Sequence, residues 1–148
     1  MYTLIWNRTE IEPRFYEIDS YGIVNHMYYI SWCELARLKI SKDAGLLIPK
    51  LYDEGIMFVV SNIQMNYIHA INFWENSIII ESAISEVKAS KLIFKHKIKS
   101  GKTKIEMACG ESSIVCLRSG KMLLSFPGWI SERIDNYIKN FQKGISLE

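Results

Sequence analysis

The 148-residue chain lacks the features that mark several large classes of protein. It has only three cysteines, Cys33, Cys109 and Cys116, and none of them forms a CxxC pair. An odd number at long spacing indicates buried free thiols in a reducing compartment rather than a disulfide framework. No apolar run approaches the roughly 18 residues of a transmembrane helix, and the start of the chain is too short for the apolar region of a signal peptide. We therefore expect a cytoplasmic protein without a membrane span.

The chain also lacks a large excess of charge of either sign. The 18 Lys and Arg residues against 16 Asp and Glu residues leave a net charge of +2, which gives no argument for a nucleic-acid or membrane partner. Neither GxGxxG nor GxxxxGK[ST] occurs, so nucleotide-binding folds are excluded. His26, His69 and His96 show no HxxxH or HxxE spacing, and no metal site is expected. Ser61 and the pair 112–113 lack the glycines of a hydrolase nucleophile elbow.

What is present is a large apolar fraction, 49% of the residues. This is enough for a core without disulfides or metals. Because there is no linker, repeat or low-complexity segment, residues 1–148 are predicted to form one domain. A helix is predicted from Asn25 or His26 to Asp43, ended by Ala44 and Gly45. Its buried stripe is expected to comprise Tyr29, Trp32, Cys33, Ala36 and Ile40.

On the opposite, polar stripe of this helix, Glu34 and Arg37 are expected to form an i,i+3 pair. An early strand should end near Ile18, and further strands are predicted over 59–67, 78–87, 92–99, 103–116 and 121–125. A change of apolar phase indicates a bulge near Gly110. A short C-terminal helix should bury one face, formed by Ile130, Ile134, Tyr137, Ile138 and Phe141. This order predicts an α+β fold with a helix on one face of a curled antiparallel sheet, and uncovered apolar residues suggest a dimer.

The chemistry of the chain is concentrated before the long helix. Asp19 precedes a turn at Gly22 and lies six residues before Asn25, so its carboxylate can approach the first helical turn. Free N–H groups there could stabilise an oxyanion, and the carboxylate could attack a carbonyl or activate water. Spacing alone favours a simpler role, in which Asp19 only bonds its turn or caps the helix. His26 could likewise donate to a substrate or merely bond a neighbour, and Asn25 suits a helix cap.

Residues 15–37 read FYEIDSYGIVNHMYYISWCELAR. This segment resembles the N-terminal signature of hotdog-fold acyl-CoA thioesterases, in particular the 4-hydroxybenzoyl-CoA thioesterase-like family. The family pattern is an aspartate, two residues, glycine, an aliphatic pair, one residue, and His or Tyr, followed by an aromatic pair and Glu-x-Ala-Arg. The matching positions are Asp19, Gly22, Ile23, Val24, His26, Tyr29, Glu34, Ala36 and Arg37. Residues 58–75 look like the second strand of the family and the turn after it.

The resemblance implies a hotdog fold, with a long central helix wrapped by a curved antiparallel sheet of five to six strands and a short C-terminal helix. It implies homodimers or homotetramers with active sites at the subunit interface. It further implies hydrolysis of an acyl-CoA thioester without a cofactor, coenzyme A being part of the substrate. Asp19 would be the general base or nucleophile, and the helix start at His26 would hold the thioester oxygen. The implied substrate-binding residues are Gly22, Val24, Asn25, Tyr29 and Ser61.

Two departures from the family leave the acyl donor open. The segment 69–71 reads His-Ala-Ile, where the family usually has Arg-Pro-Ala or a similar turn. The pair Asn25-His26 resembles acyl-carrier-protein thioesterases, so chain release from a carrier protein is an alternative, as is a non-catalytic acyl-binding module. The lysines at 88, 91, 95, 97 and 99 form either a solvated face or a contact for coenzyme A phosphates. Covalent and general-base mechanisms both remain open, as does the acyl group.

Overall fold

The computed structural model describes residues 4–144 of the chain. Within these residues the chain forms six strands, three α-helices and a 3-10 turn at Phe15–Glu17. The elements are β1 (Asn7–Ile11), α1 (His26–Asp43), α2 (Ile48–Asp53), β2 (Ile56–Tyr67), β3 (Ile78–Val87), β4 (Lys91–Ser100), β5 (Glu106–Arg118), β6 (Lys121–Met122) and α3 (Gly128–Gly144).

The strands form one antiparallel sheet in the order β1-β3-β4-β5-β2, and the short β6 pairs with β5. α1 lies against one face of this sheet. Its apolar stripe packs on every second residue of the strands, because alternate side chains of a strand point to the same face. Trp32, Cys33 and Ala36 pack on Ile80 and Ile98 beneath the first half of the helix. Strand β2 forms one edge of the sheet. Its last residue, Tyr67, lies beside the first turns of α1.

The predicted bounds of α1 are confirmed. Asn25 precedes the helix in an extended conformation, and its Oδ1 accepts a hydrogen bond from the Met27 N–H at 3.1 Å. The helix ends at Asp43, and Gly45 has a φ of +76°. A residue with a Cβ would be strained at this φ, which explains why a glycine ends the helix.

Helix α3 covers the end of the core beneath the last turns of α1. Its residues Ile130, Ile134 and Tyr137 are buried and join the cluster that contains Ile40 and Phe94. The expected apolar face is therefore confirmed, although the helix has 17 residues and is not short. Phe141, expected on the same face, lies outside the residues whose side chains the structure describes.

Two expectations about strand ends are wrong, and one short helix was not expected. The early strand ends at Ile11, because a 3-10 turn intervenes before Ile18. The six-residue helix α2 was not predicted, since so short a segment shows no helical periodicity. Strand β6 stops at Met122 instead of continuing to residue 125.

The bulge expected near Gly110 is also misplaced. Gly110 pairs in register with both Met65 and His96. The unpaired extra residues of the described strands are Met107 on β5, Ser61 on β2 and Ser85 on β3. Gly110 instead permits close approach of strands, because a Cβ there would collide with the Gln64 carbonyl oxygen.

The lysines of β4 lie on the sheet face opposite α1. Lys99 pairs with Glu81 at 2.5 Å, and the Lys97 ammonium stands 4.4 Å from the centroid of the Trp6 ring. These contacts are those of a solvated face with local partners. In the described part of the chain, no helix is both long and apolar enough to cross a membrane.

Candidate active site

A cavity of about 250 Å³ opens at the N-terminal end of α1. Four of the residues predicted for the site line it: Asp19, Val24, His26 and Tyr29. The opposite wall comes from the end of β2 and the segment after it, including Tyr67 and His69. The fold thus brings the aspartate turn, the helix start and a distant strand end to one place.

Asp19 is held by its own turn through one carboxylate oxygen. Its Oδ1 accepts the Tyr21 N–H at 2.8 Å and the Ile23 N–H at 3.4 Å. The turn requires Gly22, whose φ is +78° and whose N–H donates to the Asp19 carbonyl at 3.1 Å. The Asp19 Oδ2 receives no hydrogen bond from any described residue. Asp19 therefore bonds its own turn, as its spacing suggested. The turn holds the carboxylate in place through Oδ1 and leaves Oδ2 available.

The backbone N–H of His26 is the free donor at the start of α1. The N–H groups beside it are occupied: Asn25 donates to the Glu17 carbonyl at 2.8 Å, Met27 to the Asn25 Oδ1 at 3.1 Å, and Tyr28 to the Asn25 carbonyl at 3.1 Å. Within residues 4–144, nothing accepts from the His26 N–H. An unpaired N–H at a helix N-terminus favours a developing negative charge.

Two tyrosines fix the wall beside this donor. The Tyr67 hydroxyl donates to the His26 carbonyl at 2.9 Å, and its ring lies 5.0 Å from that of Tyr29 and 6.2 Å from that of His26. Burial raises the pKa of Tyr29 and of Tyr67, so both hydroxyls are neutral at physiological pH. Sequence reasoning did not select Tyr67, because its approach to α1 depends on the path of β2.

Glu17 is a buried carboxylate that the sequence reading missed. Its side chain is 2% exposed; its Oε1 accepts the Arg14 N–H at 2.7 Å and its Oε2 accepts the Trp32 indole N–H at 2.8 Å. Because its carbonyl also accepts from Asn25, Glu17 ties the segment before Asp19 to α1. The only feature of the sequence that could have pointed to Glu17 was its position two residues before Asp19.

Beneath α1, a second group of polar side chains is buried in the core. The two ring nitrogens of His96 lie 2.7 Å from the Ser82 Oγ and 2.8 Å from the Ser112 Oγ, and the Arg37 Nη1 donates to the Ser112 Oγ at 3.1 Å. Burial, with the nearby Arg37 charge, lowers the pKa of His96 to about 3, so this histidine is neutral. Its position on the apolar face of β4 was the signal in the sequence.

The expected Glu34–Arg37 pair does not form a close ion pair, although the nearby Glu34 charge opposes the lowering of the Arg37 pKa by burial. Arg37 is only 8% exposed and bonds Ser112, whereas Glu34 is exposed and makes no ion pair with it in the described part of the chain. The reason is the strand beneath: Ser112 and Gly110 are small residues on the helix-facing side of β5, and they leave room for the guanidinium. Those small residues also produced the apparent phase change near Gly110.

The remaining predicted site residues do not line the cavity. Gly22 shapes the Asp19 turn and Asn25 caps α1. Ser61 lies in the β2 bulge, and its Oγ donates to the Ser113 carbonyl at 3.3 Å. A role of these three residues in substrate binding stays a prediction.

The cysteines are free, and two of them, Cys33 and Cys116, are buried. Burial raises the pKa of Cys33 to about 12, so its thiol stays protonated and is a poor nucleophile. Among the described residues, no group of three His, Cys, Asp or Glu side chains could hold a metal ion.

This sheet order around one long helix defines the hotdog class of proteins. A DHNA-CoA thioesterase from Staphylococcus aureus has the same fold, with a TM-score of 0.80 at 24% identity, over 94% of this chain and 95% of that chain. The protein belongs to the thioesterase-like superfamily, whose family model matches residues 13–134. The expected fold and the expected enzyme class, a thioesterase, are confirmed.

Two curated relatives differ in the acyl donor that their names state. The putative acyl-CoA thioesterase YneP of Bacillus subtilis (strain 168) is 24% identical over 127 residues, 83% of this chain and 91% of the relative. The acyl-acyl carrier protein thioesterase ATL3, chloroplastic, of Arabidopsis thaliana is 23% identical over 93 residues. That match covers 63% of this chain and 48% of the plant protein, so the chain spans about half of its length.

Proposed function

We propose that this protein hydrolyses acyl-CoA thioesters to the free acid and coenzyme A. One observation carries the proposal: the unbonded carboxylate oxygen of Asp19 and the free N–H of His26 belong to residues that line one cavity. A thioester needs a donor for its carbonyl oxygen and a base or nucleophile beside its carbonyl carbon. Membership of the thioesterase-like superfamily and the name of the Bacillus relative support this substrate class.

In the proposed reaction, the thioester oxygen accepts from the His26 N–H, where the positive end of the helix dipole stabilises the oxyanion. The Asp19 carboxylate then removes a proton from water as the water attacks the carbonyl carbon, and this proton passes to the departing thiolate. Alternatively, Asp19 attacks the carbonyl, forms a mixed anhydride and expels the thiolate, and water hydrolyses the anhydride. Both routes use the same oxygen, and the exposed His26 ring would orient the substrate or water.

The first test measures thiol release from short, long and aromatic acyl-CoAs by the wild type and by Asp19→Asn. Asparagine retains the Oδ1 acceptor for the turn, so the fold should persist. Loss of the base or nucleophile should lower kcat at least about a hundredfold. Asp53→Asn, an exposed aspartate at the end of α2, is the matched control and should retain the wild-type rate. Wild-type turnover in Asp19→Asn would contradict the proposed mechanism.

A second candidate function is hydrolysis of an acyl chain carried by a carrier protein. The resemblance of 93 residues to the chloroplast enzyme and the Asn25-His26 pair favour it. Saturable thiol release from an acyl-carrier protein, with none from acyl-CoA, would establish this alternative. Binding of acyl-CoA without any release of thiol would instead indicate a non-catalytic module.

A further inference from the structure

Tyr67, the last residue of β2, bonds the first residue of α1 at the candidate active-site cavity. Its hydroxyl donates to the His26 carbonyl at 2.9 Å, although the two residues lie 41 positions apart in the chain. Its ring lies 5.0 Å from the ring of Tyr29 and meets the ring of His26 edge-on at 6.2 Å. Tyr67 therefore contacts the first turn of α1 at three points, and it lines the same cavity as Asp19.

Neither partner needs this hydrogen bond to satisfy its polar atoms. The carbonyl groups of a first helical turn already accept from N–H groups four residues further on, and only the N–H groups of that turn lack partners. Tyr67 is 45% exposed, so water can satisfy its hydroxyl. The effect of the bond is instead to hold the first residue of α1 in a fixed position relative to the end of β2, on the other side of the cavity.

The end of β2 is itself firmly held by β5. Tyr67 pairs with Ala108, and the N–H groups of Ile68 and His69 both donate to the Met107 carbonyl, at 2.9 Å and 3.0 Å. The Tyr67 hydroxyl thus projects from a backbone that the sheet keeps in place. The ends of helices tend to fray, so a bond from the sheet gives the start of α1 an anchor that the helix alone does not supply.

Two side chains hold the same peptide plane at the start of α1. The His26 carbonyl and the Met27 N–H belong to one planar peptide unit. The Asn25 Oδ1 accepts from this N–H at 3.1 Å, and the Tyr67 hydroxyl donates to this carbonyl. Only φ and ψ of His26 relate this plane to the preceding one, which carries the His26 N–H. With the plane held at both ends and His26 in a helical conformation, its N–H keeps one orientation.

We propose that Tyr67 is a positioning residue of the active site: by bonding the His26 carbonyl, its hydroxyl holds the His26 N–H in the orientation that stabilises the thioester oxyanion. This inference rests on the proposed function, in which that N–H is the oxyanion donor. Tyr67 acts through His26 because a tyrosine hydroxyl has one proton to donate, and the His26 carbonyl accepts it. A donor that is oriented in advance needs no reorganisation during the reaction.

The test compares the wild type with Tyr67→Phe in thiol release from the acyl-CoA that the wild type hydrolyses fastest. Phenylalanine retains a ring against Tyr29 and His26 and removes only the hydroxyl. Loss of this hydrogen bond should lower kcat about tenfold and leave KM within about twofold. Tyr52→Phe, which removes the hydroxyl of an exposed tyrosine in α2, should retain both constants. A wild-type kcat in Tyr67→Phe would overturn the inference, as would a higher KM with kcat unchanged.

Urea unfolding separates positioning from a purely structural contribution. A structural role alone would lower the unfolding midpoint of Tyr67→Phe and leave kcat per folded molecule at the wild-type value, which overturns the inference. Positioning predicts a low kcat where the variant is fully folded.

A double variant tests whether the two hydrogen bonds act on one group. Asn25 and Tyr67 hold the same peptide plane, so the loss in kcat of Asn25→Ala/Tyr67→Phe should be smaller than the product of the two single losses. A loss equal to that product would show that the two side chains act independently, and it would overturn the inference.

Amide NMR spectra of the protein without substrate separate this inference from the proposed function. In Tyr67→Phe the His26 and Met27 amide resonances should shift, and the Met27 N–H should exchange with water about tenfold faster. The amide of Ile98, in the core beneath α1, should not change. Absence of thiol release by the wild type, with these spectral changes present, would refute only the thioesterase proposal. Thiol release by the wild type, with unchanged spectra in Tyr67→Phe, would refute only the role of Tyr67.

Discussion

Glu17 and His96 are each 1% exposed, and both connect distant parts of the chain. Glu17 joins the segment before Asp19 to α1 through Trp32. His96 joins β3 to β5 through two serine hydroxyls. Neither residue lines the cavity that contains Asp19 and His26. Their effect on activity should therefore come from the positions of other groups.

Glu17→Gln should affect the turnover rate more than substrate binding. A glutamine side chain has one acceptor oxygen, so it can accept from the Arg14 N–H or from the Trp32 indole, but not from both. We expect a loss of about 1–3 kcal/mol in the free energy of unfolding. We also expect a lower kcat with KM little changed, because the segment that carries Asp19 would be held less firmly against α1. Urea unfolding and acyl-CoA kinetics measure the two effects. The exposed Glu12→Gln is the control, and identical behaviour of the two variants would show that Glu17 has no positioning role.

The low pKa of His96 predicts acid sensitivity. Its pKa is about 3 in the folded protein against an ordinary value of 6.5, so between these values only the unfolded state takes up the proton. The contribution of His96 to stability should be complete above about pH 6.5 and should fall with decreasing pH, by up to about 1.4 kcal/mol per pH unit. Urea unfolding between pH 7 and pH 4 measures this slope.

His96→Asn should be less stable at neutral pH and should lack this component of the slope. His69→Asn, at an exposed histidine, should retain it. An NMR titration in which the His96 ring gains its proton near pH 6.5 would contradict the expectation.

Among the elements, α1 shows how a local signal determines a boundary. Asn25 accepts the Met27 N–H, which leaves the preceding N–H, that of His26, directed out of the helix. The cap therefore has two effects: it stabilises the helix end, and it fixes the orientation of the proposed oxyanion donor.

Asn25→Ala should lower the free energy of unfolding by about 1 kcal/mol and should also lower kcat, because the first turn of α1 would fray around His26. Asn25→Ser restores a side-chain acceptor and should recover most of both losses. Thermal unfolding followed by thiol-release kinetics checks the prediction. Full activity in Asn25→Ala would show that the donor does not depend on the cap.

For the molecule as a whole, β2 is the most exposed part of the sheet. It is an edge strand of 12 residues, and Met57, Val60 and Tyr67 are 53%, 44% and 45% exposed. A long edge with apolar side chains favours pairing with another chain. The cavity that contains Asp19 borders the end of this strand at Tyr67, so pairing there would also cover part of the candidate active site.

We therefore expect a homodimer or homotetramer that depends on the β2 edge. Val60→Lys should shift the protein to monomers at micromolar concentration and lower its thiol-release activity. Leu124→Lys, at a side chain 96% exposed and outside β2, should leave both unchanged. Sedimentation equilibrium gives the mass. A wild-type monomer with full activity would contradict this expectation.

The sequence alone was sufficient for α1, for β3 and for the place of Asp19 beside a helix N-terminus. Each of these depends on signals between near neighbours: a cap residue, a glycine that allows positive φ, or an alternation of apolar residues along one strand. The interactions that decide such features involve a few adjacent residues. They can therefore be recognised before the fold is known.

Tertiary structure alone decided the burial of Arg37, the linking role of Glu17, the approach of Tyr67 to His26 and the positions of the bulges. Arg37 is buried because a serine 75 residues away leaves room for it, and Tyr67 reaches a carbonyl 41 residues earlier in the chain. Whether a polar side chain is buried depends on which small or polar groups lie opposite it. Those neighbours are set by strand register and helix packing, which local sequence patterns do not encode.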